Sequence, residues 1–271
     1  MREIDVLHQG VPRAICCFAI DDVIVDPGPE SAHRALLEGL DGFVPRAILL
    51  THIHFDHAGA TGALCRLWPD AEVWVHERGA RHMIDPSRLV ASAMRIYGDQ
   101  FDRLWGEVVP VPEDRMRVLT GGERLVGFRV EYTPGHASHH VAYLHEATGT
   151  AFAGDVAGVR IGDGPVLPPT PPPDIDVELW MQSMGVVEAW RPERIAVTHF
   201  GAHDPAGHLD ELRERLRQWA DKARELDKTG FEAWVREEMH GNESYLEAMP
   251  PETLYAGLER YWDKRISSDH V

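Results

Sequence analysis

The stretch LLTHIHFDHAGA, Leu49 to Ala60, places three histidines and an aspartate within six residues, directly after an apolar run and directly before small residues. Concentrated imidazole has no packing advantage and repels itself once protonated, so His52, His54, Asp56 and His57 point to metal binding. In an extended stretch residues i and i+2 face the same way, so His52 and His54 can grip one ion while Asp56 and His57, beyond a bend, face a second. Ala58, Gly59 and Ala60 leave room for backbone to pass close by.

Four segments share one grammar, a short apolar strand that ends on a donor side chain. RAILL leads to the cluster at His52, VEYTPG to His136, TAFAG to Asp155 and RIAVT to His199. Ligands in α/β folds gather at loops beyond the carboxyl ends of strands. Taken alone, His136 or His199 reads as a hydrogen-bonded core or surface histidine and Asp155 as a turn residue; the cluster is what recruits them. The donors are nitrogen and oxygen without thiolate, which suits a hydrolytic zinc, iron or manganese site better than a structural zinc knot. Seven donors exceed one tetrahedral ion, and two ions about 3.5 to 4 Å apart that share a carboxylate fit the number.

The 271 residues suit one larger α/β unit, and an apolar fraction of 44% supports a substantial core, with order expected everywhere except the last few residues. The first 26 residues read as short strands, EIDVLHQG, RAICCFAI and DVIVDPGP, followed by a helix over 30–40. GATGALCRLW reads as helix and AEVWVH as a buried strand. Residues 77–105 turn helical, with Leu89, Ala93, Ile96, Tyr97 and Phe101 near one face. Hairpin strands resume at MRVLT, RLVGFRVEYT, HVAYLHE and TAFAGD. After a proline-rich loop, GPVLPPTPPPDID, either Asp174 or Asp176 is placed to cap a helix beginning near Val177. Nearly everything after Asp204 is helical by period, a tail expected either to cover one sheet or to form a homodimer contact. The order implies sheets covered by helices, an α/β layered architecture.

Twenty-seven basic against 44 acidic residues leave a net charge of −17, which argues against a nucleic-acid partner. Cys16, Cys17 and Cys65 form no CxxC pair and no disulfide framework, and the start of the chain reads as no export signal. No apolar run of about 18 residues occurs, so a cytoplasmic protein with no membrane partner is expected.

The segments THIHFDHAGA, TPGHASHH, AGD and THFGAH, with the early VDPGP, closely resemble the metallo-β-lactamase superfamily from roughly Asp5 to Phe200. The resemblance implies an α/β, four-layer αββα sandwich. Its catalytic core would span 1–204 with a helical insertion at about 77–106, and a helical C-terminal extension over 205–271 would pack on that core. It implies two divalent metal ions, zinc first with iron or manganese as alternatives. His52, His54 and His136 would hold one ion, Asp56, His57 and His199 the other, and Asp155 would bridge them. Asp26 matches a position near the site that does not ligate. The implied chemistry is attack by a metal-bound hydroxide on a small ester, thioester or lactone, with Asp56 orienting the hydroxide and passing its proton to the leaving group. PGHASHH departs from the PGHTxGH form of the glyoxalase-like branch, and no clear basic pair for glutathione carboxylates is visible. The alternatives are a mononuclear non-haem iron oxidoreductase acting on a sulfur compound and a β-lactamase-like amide hydrolase. Substrate contacts are expected from Phe55, Phe200 and His203, from Trp180 in the 165–180 loop, and from Tyr97 and Trp105 in the insertion. His139 and His140 are expected in supporting or surface positions, and His8, His33, His76, His82 and His145 outside the ligand set.

Overall fold

Strand β2 (Cys16–Ile20) is buried along its whole length, with Cys16, Phe18 and Ile20 on one face and Cys17 and Ala19 on the other. Strand β4 (Ala47–Leu49) repeats the pattern, with Ala47 and Leu49 on the first face and Ile48 on the second. A strand covered on both sides reads as an unbroken apolar run, which is why RAILL shows no alternation in sequence. The computed structural model describes residues 1–268, so the end of the chain, where order is not expected, falls outside the described residues.

The first sheet runs β1-β2-β3-β4-β5-β6, with β1 at Arg2–Asp5, β3 at Val23–Val25, β5 at Glu72–His76 and β6 at Met116–Leu119. Its first three strands are antiparallel, and β3 to β6 are parallel. The second runs β12-β11-β10-β9-β8-β7, built from β7 (Arg124–Leu125), β8 (Phe128–Tyr132), β9 (Val141–His145), β10 (Thr150–Phe152), β11 (Arg194–Val197) and β12 (Gly201–His203). Only β10 and β11 pair in parallel within it. The sheets meet through Phe18, Trp74, Phe128, Tyr143 and Phe152, with the rings of Phe18 and Phe152 edge to face at 5.3 Å.

Helices α1 (His33–Leu40), α3 (Thr61–Leu67) and α4 (Glu77–Ile84) cover the outer face of the first sheet through Leu36, Leu64 and Met83; the single turn α2 (Phe55–Ala58) precedes α3. On the far side α7 (Val177–Ala189), α8 (His208–Glu225), α9 (Lys228–Glu238) and α11 (Pro251–Ser268) share one core with the second sheet, centred on Trp180, Trp219, Phe231 and Leu258. The four layers of the expected αββα sandwich are present, and the tail covers a sheet. The insertion is α4, α5 (Ser87–Tyr97) and α6 (Phe101–Trp105), and α10 (Glu243–Ala248) joins α9 to α11. Ile96 departs from the expected buried face: it is 51% exposed, while Ala93 and Phe101 are buried. The aspartate that caps α7 is Asp176, which accepts from the Leu179 N–H at 3.0 Å. Asp174 instead accepts from the Ser138 hydroxyl at 2.6 Å. Among the described residues no helix is long and apolar enough to cross a membrane.

His208, at the start of α8, is buried and its Nε2 lies 2.8 Å from the Ala157 carbonyl. Burial pushes its imidazole down to about 4, with the Ala157 bond opposing. The unfolded chain takes up this proton near 6.5, so between pH 6.5 and 4 the unfolded state holds more protons and stability falls as pH falls. Replacing His208 by Asn is expected to remove up to about 1.4 kcal/mol per pH unit from the slope of unfolding free energy across that window. Denaturant titrations at several pH values read the slope, and an unchanged slope would show that His208 titrates normally.

Candidate metal centre

Beyond β4 the chain bends at Thr51 and is extended at His54, φ −62° and ψ 151°, the residue before the turn α2. His52 and His54 therefore precede the helical turn, while Asp56 and His57 sit on it. The loops after β8, β10 and β11 bring His136, Asp155 and His199 to the same place. Two glycines permit this approach. At Gly135, φ is +132° and a Cβ would lie 2.2 Å from the Trp180 nitrogen. At Gly154, φ is +46° and a Cβ would lie 2.5 Å from Thr51 Oγ1. Any other side chain would displace His136 or Asp155.

Donor atoms fall into overlapping groups. His54 Nδ1 lies 3.0 Å from His52 Nε2 and 3.2 Å from His136 Nε2. Asp56 Oδ2 lies 3.4 Å from His199 Nε2 and 3.8 Å from His57 Nε2. Asp155 stands between them: Oδ2 is 3.3 Å from His136 Nε2, and Oδ1 is 3.3 Å from His57 Nε2 and 3.7 Å from His199 Nε2.

The outward nitrogens of His52, His57, His136 and His199 are held by oxygen acceptors. His57 Nδ1 donates to Asp26 Oδ2 at 2.8 Å, His136 Nδ1 to the Pro169 carbonyl at 3.0 Å and His199 Nδ1 to the Ala14 carbonyl at 2.7 Å. His52 Nδ1 lies 3.1 Å from Thr51 Oγ1, whose own proton goes to Asp26. These contacts select the tautomer whose inward nitrogen carries a lone pair. His57 Nε2, His199 Nε2 and Asp155 Oδ1 are buried with no hydrogen-bond partner. Each such atom costs about 1–3 kcal/mol. Lone pairs directed at one another in a buried pocket suit a cation, so the residues present fit divalent metal.

The electrostatics divide the site. Burial holds His52 and His54 below the usual imidazole range and pushes His136 down to about 4. At His57 and His199 burial acts the same way, but the carboxylates of Asp155 and Asp56 outweigh it and the net shift is upward. Burial would raise Asp155, yet the surrounding imidazoles of His57, His136 and His199 hold its carboxyl well below the usual range.

A cavity of about 1060 Å³ opens from this centre, with His54, Asp56 and Asp155 at its base. Phe55, Tyr97 and Trp105 line one side, with the Phe55 ring 6.0 Å from that of Trp105. Three expected contacts lie elsewhere. Trp180 is fully buried, donates its Nε1 proton to the Val156 carbonyl at 2.9 Å and backs the His136 ring at 5.4 Å. Phe200 packs against both core clusters and carries the Arg13 guanidinium 5.5 Å from its ring. His203 sits on β12 with Nε2 3.0 Å from the Phe200 carbonyl, outside the cavity lining. His139 borders the cavity, whereas His140 is buried against Thr133 at 2.8 Å. Sequence reasoning missed His8, which stacks on Trp105 at 5.5 Å and pairs with Glu247 at 3.4 Å on the cavity wall. It also missed the basic group that the structure brings to the mouth, Arg78, Arg81 and Arg88. The signal available was their shared outward side on the amphipathic insertion.

Asp26 follows β3 and is fully buried. It accepts from Thr51 N at 2.8 Å, from Thr51 Oγ1 and Thr198 Oγ1 at 2.7 Å, and from His57 Nδ1. Asp26→Ala frees the His57 ring to turn and change tautomer, and is expected to weaken zinc binding by about 10–100-fold in a chelator competition titration. Undiminished affinity would remove Asp26 from the support of the site.

A sequence model of the metallo-beta-lactamase superfamily matches residues 21–227. The metallo-beta-lactamase fold-containing protein ST1585 of Sulfurisphaera tokodaii is 30% identical over 203 residues, 72% of this chain and 74% of that protein. The crystal structure of ST1585 superposes with a TM-score of 0.65 at 27% identity, covering 80% of this chain and 85% of that one. TTHA1623 in a di-iron-bound form gives 0.57 at 26% identity over 73% of this chain and 93% of that one. A hydroxyacylglutathione hydrolase of Xanthomonas euvesicatoria is 31% identical over 134 residues, 49% of this chain but only 40% of that enzyme. Sequence match and fold agree along the whole segment that carries the donor loops, and the chain belongs to the metallo-beta-lactamase superfamily.

Proposed function

We propose that this protein is a dinuclear metal-dependent hydrolase acting on a small ester, thioester or lactone, with zinc as its metal. The observation that carries the reading is Asp155, whose two oxygens face different imidazole groups and would suit a shared carboxylate ligand. His52, His54 and His136 would hold one ion, and Asp56, His57 and His199 the other. Bound divalent cations polarise a carbonyl and lower the pKa of water toward about 7. Asp56 is a ligand with part of its carboxylate open to the cavity, and it orients the attacking water and carries a proton to the leaving group. Phe55, Tyr97 and Trp105 exclude bulk water from the reacting bond.

Iron is the competing metal, as the di-iron form of TTHA1623 illustrates for that protein. A mononuclear oxidoreductase needs one donor group, whereas here two groups of three donors adjoin, each with one half-buried member. The catalytic core is taken as 1–204 with 205–271 as its helical extension, and the acidic balance leaves a small molecule rather than nucleic acid as the partner.

Elemental analysis of the purified protein is expected to give two zinc ions per chain, with hydrolysis in a panel of esters, thioesters and lactones that chelation abolishes and zinc restores. His54→Ala is expected to lower kcat/KM by about a hundredfold or more and to cost one metal ion per chain. Activity that survives both chelation and His54→Ala would overturn the mechanism, and one iron per chain with oxygen consumption would replace it with the oxidoreductase reading.

A further inference from the structure

The cavity has three chemically distinct zones. Its base is the metal centre. Its middle is an apolar band, with Phe55, Leu89, Tyr97 and Trp105 from the α2 turn and the insertion on one side and Met249 and Leu254 from the C-terminal helices on the other. Its mouth carries Arg78 and Arg81 from α4 and Arg88 from α5.

Several arginines of this acidic chain pair with carboxylates, as Arg34, Arg46, Arg213 and Arg215 do. Among the described residues none of the three mouth arginines is in an ion pair with a carboxylate. Arg78 lies over the Tyr132 ring at 5.7 Å, and Arg81 Nε donates to His82 Nε2 at 3.2 Å, which positions both without neutralising them. Of the acidic groups that share the lining, Asp56 and Asp155 belong to the metal centre, Asp174 accepts from Ser138, Glu247 lies against His8 and Glu252 pairs with Arg236, which leaves Glu77 beside Arg78. Three guanidinium groups that line one cavity outside any carboxylate ion pair suit carboxylate or phosphate oxygens.

We propose that the substrate is an amphipathic anion. Its hydrolysable carbonyl lies at the metal centre, an apolar arm runs between α5–α6 and residues 246–254, and a carboxylate or phosphate terminus rests on Arg78, Arg81 and Arg88. The placement of the carbonyl rests on the hydrolase reading; the anion site itself does not. A volume of about 1060 Å³ leaves room for such an arm, where a short acyl group would fill only the base.

The test compares ligands of the zinc-loaded protein by calorimetry. Decanoate has one carboxylate, for the metals; decanedioate has a second for the arginines. Decanedioate is expected to bind about tenfold tighter or better, and the ratio is expected to shrink as ionic strength rises. In the triple variant Arg78→Gln, Arg81→Gln, Arg88→Gln the ratio is expected to fall toward one. Should that variant melt early or lose zinc, Arg88→Gln alone is expected to reduce the ratio about threefold. A phosphonate-ended analogue of the same length tells the two termini apart: tighter binding than the diacid assigns the mouth to phosphate, weaker binding to carboxylate. Equal affinities for the monoacid and diacid, or a ratio that survives the substitutions, would overturn the proposal. Failure of matched p-nitrophenyl esters to hydrolyse while the diacid preference persists would instead overturn the hydrolase reading and leave the anion site standing.

Discussion

A carboxylate out of reach of water, Asp26, holds the ends of three strands together around the centre. It leaves β3 with φ +49°, a conformation that aspartate tolerates better than most residues, and collects four donors from Thr51, Thr198 and His57. Thr51 follows β4 of the first sheet and Thr198 follows β11 of the second, so one side chain ties the two sheets at the point where the donor loops emerge. A buried carboxylate costs several kcal/mol unless its oxygens are satisfied, and this one is satisfied only when all those loops are in place. The backbone reinforces the tie: Gly28 N donates to the His57 carbonyl at 3.1 Å and Cys16 N to the Thr198 carbonyl at 2.7 Å. The centre is therefore part of the sheet-to-sheet joint.

The donor cluster was legible because its information is local. Four donors in six residues have no packing explanation, and the distant partners share the strand-then-loop grammar of β4, β8, β10 and β11. The strands were legible for the opposite reason, since burial on both faces erases alternation and leaves short apolar runs such as RAILL. What could not be read was orientation. Trp180 lies beside the proline-rich loop in sequence, but α7 begins at Val177, and its rotation carries the indole into the core. Phe200 and His203 adjoin His199, yet the chain returns antiparallel as β12 and turns them away from the cavity. His8 and residues 246–254 reach the cavity from opposite ends of the chain, and no local pattern encodes a contact of that range.

The same cavity joins two opposite charge environments within a strongly acidic molecule. At its base Asp56 and Asp155 attract cations; at its mouth arginines stand without carboxylate partners. With a net charge of −17, the long-range field disfavours any anionic molecule in solution. Screening confines that field to about 10 Å at moderate salt, so the mouth acts at contact distance on a molecule already at the surface. A local basic rim inside a global acidic field favours anions that also bury an apolar arm and discriminates against bare polyanions, which gain nothing from the band below.

Chemistry and selectivity consequently rest on different parts of the chain. The donors stand at the ends of strands shared by both sheets, locked by Asp26 and by glycines that admit no side chain, where a shift of an ångström would separate the ligands. Apart from Phe55, the band and the mouth stand on α4–α6 and on residues 246–254, outside the two sheets. Their side chains touch the substrate cavity without anchoring the centre. Substitutions there re-aim the pocket at little cost to the metal site, whereas a change at Thr51, Asp26 or Thr198 alters both the joint between the sheets and the ligand geometry in a single step.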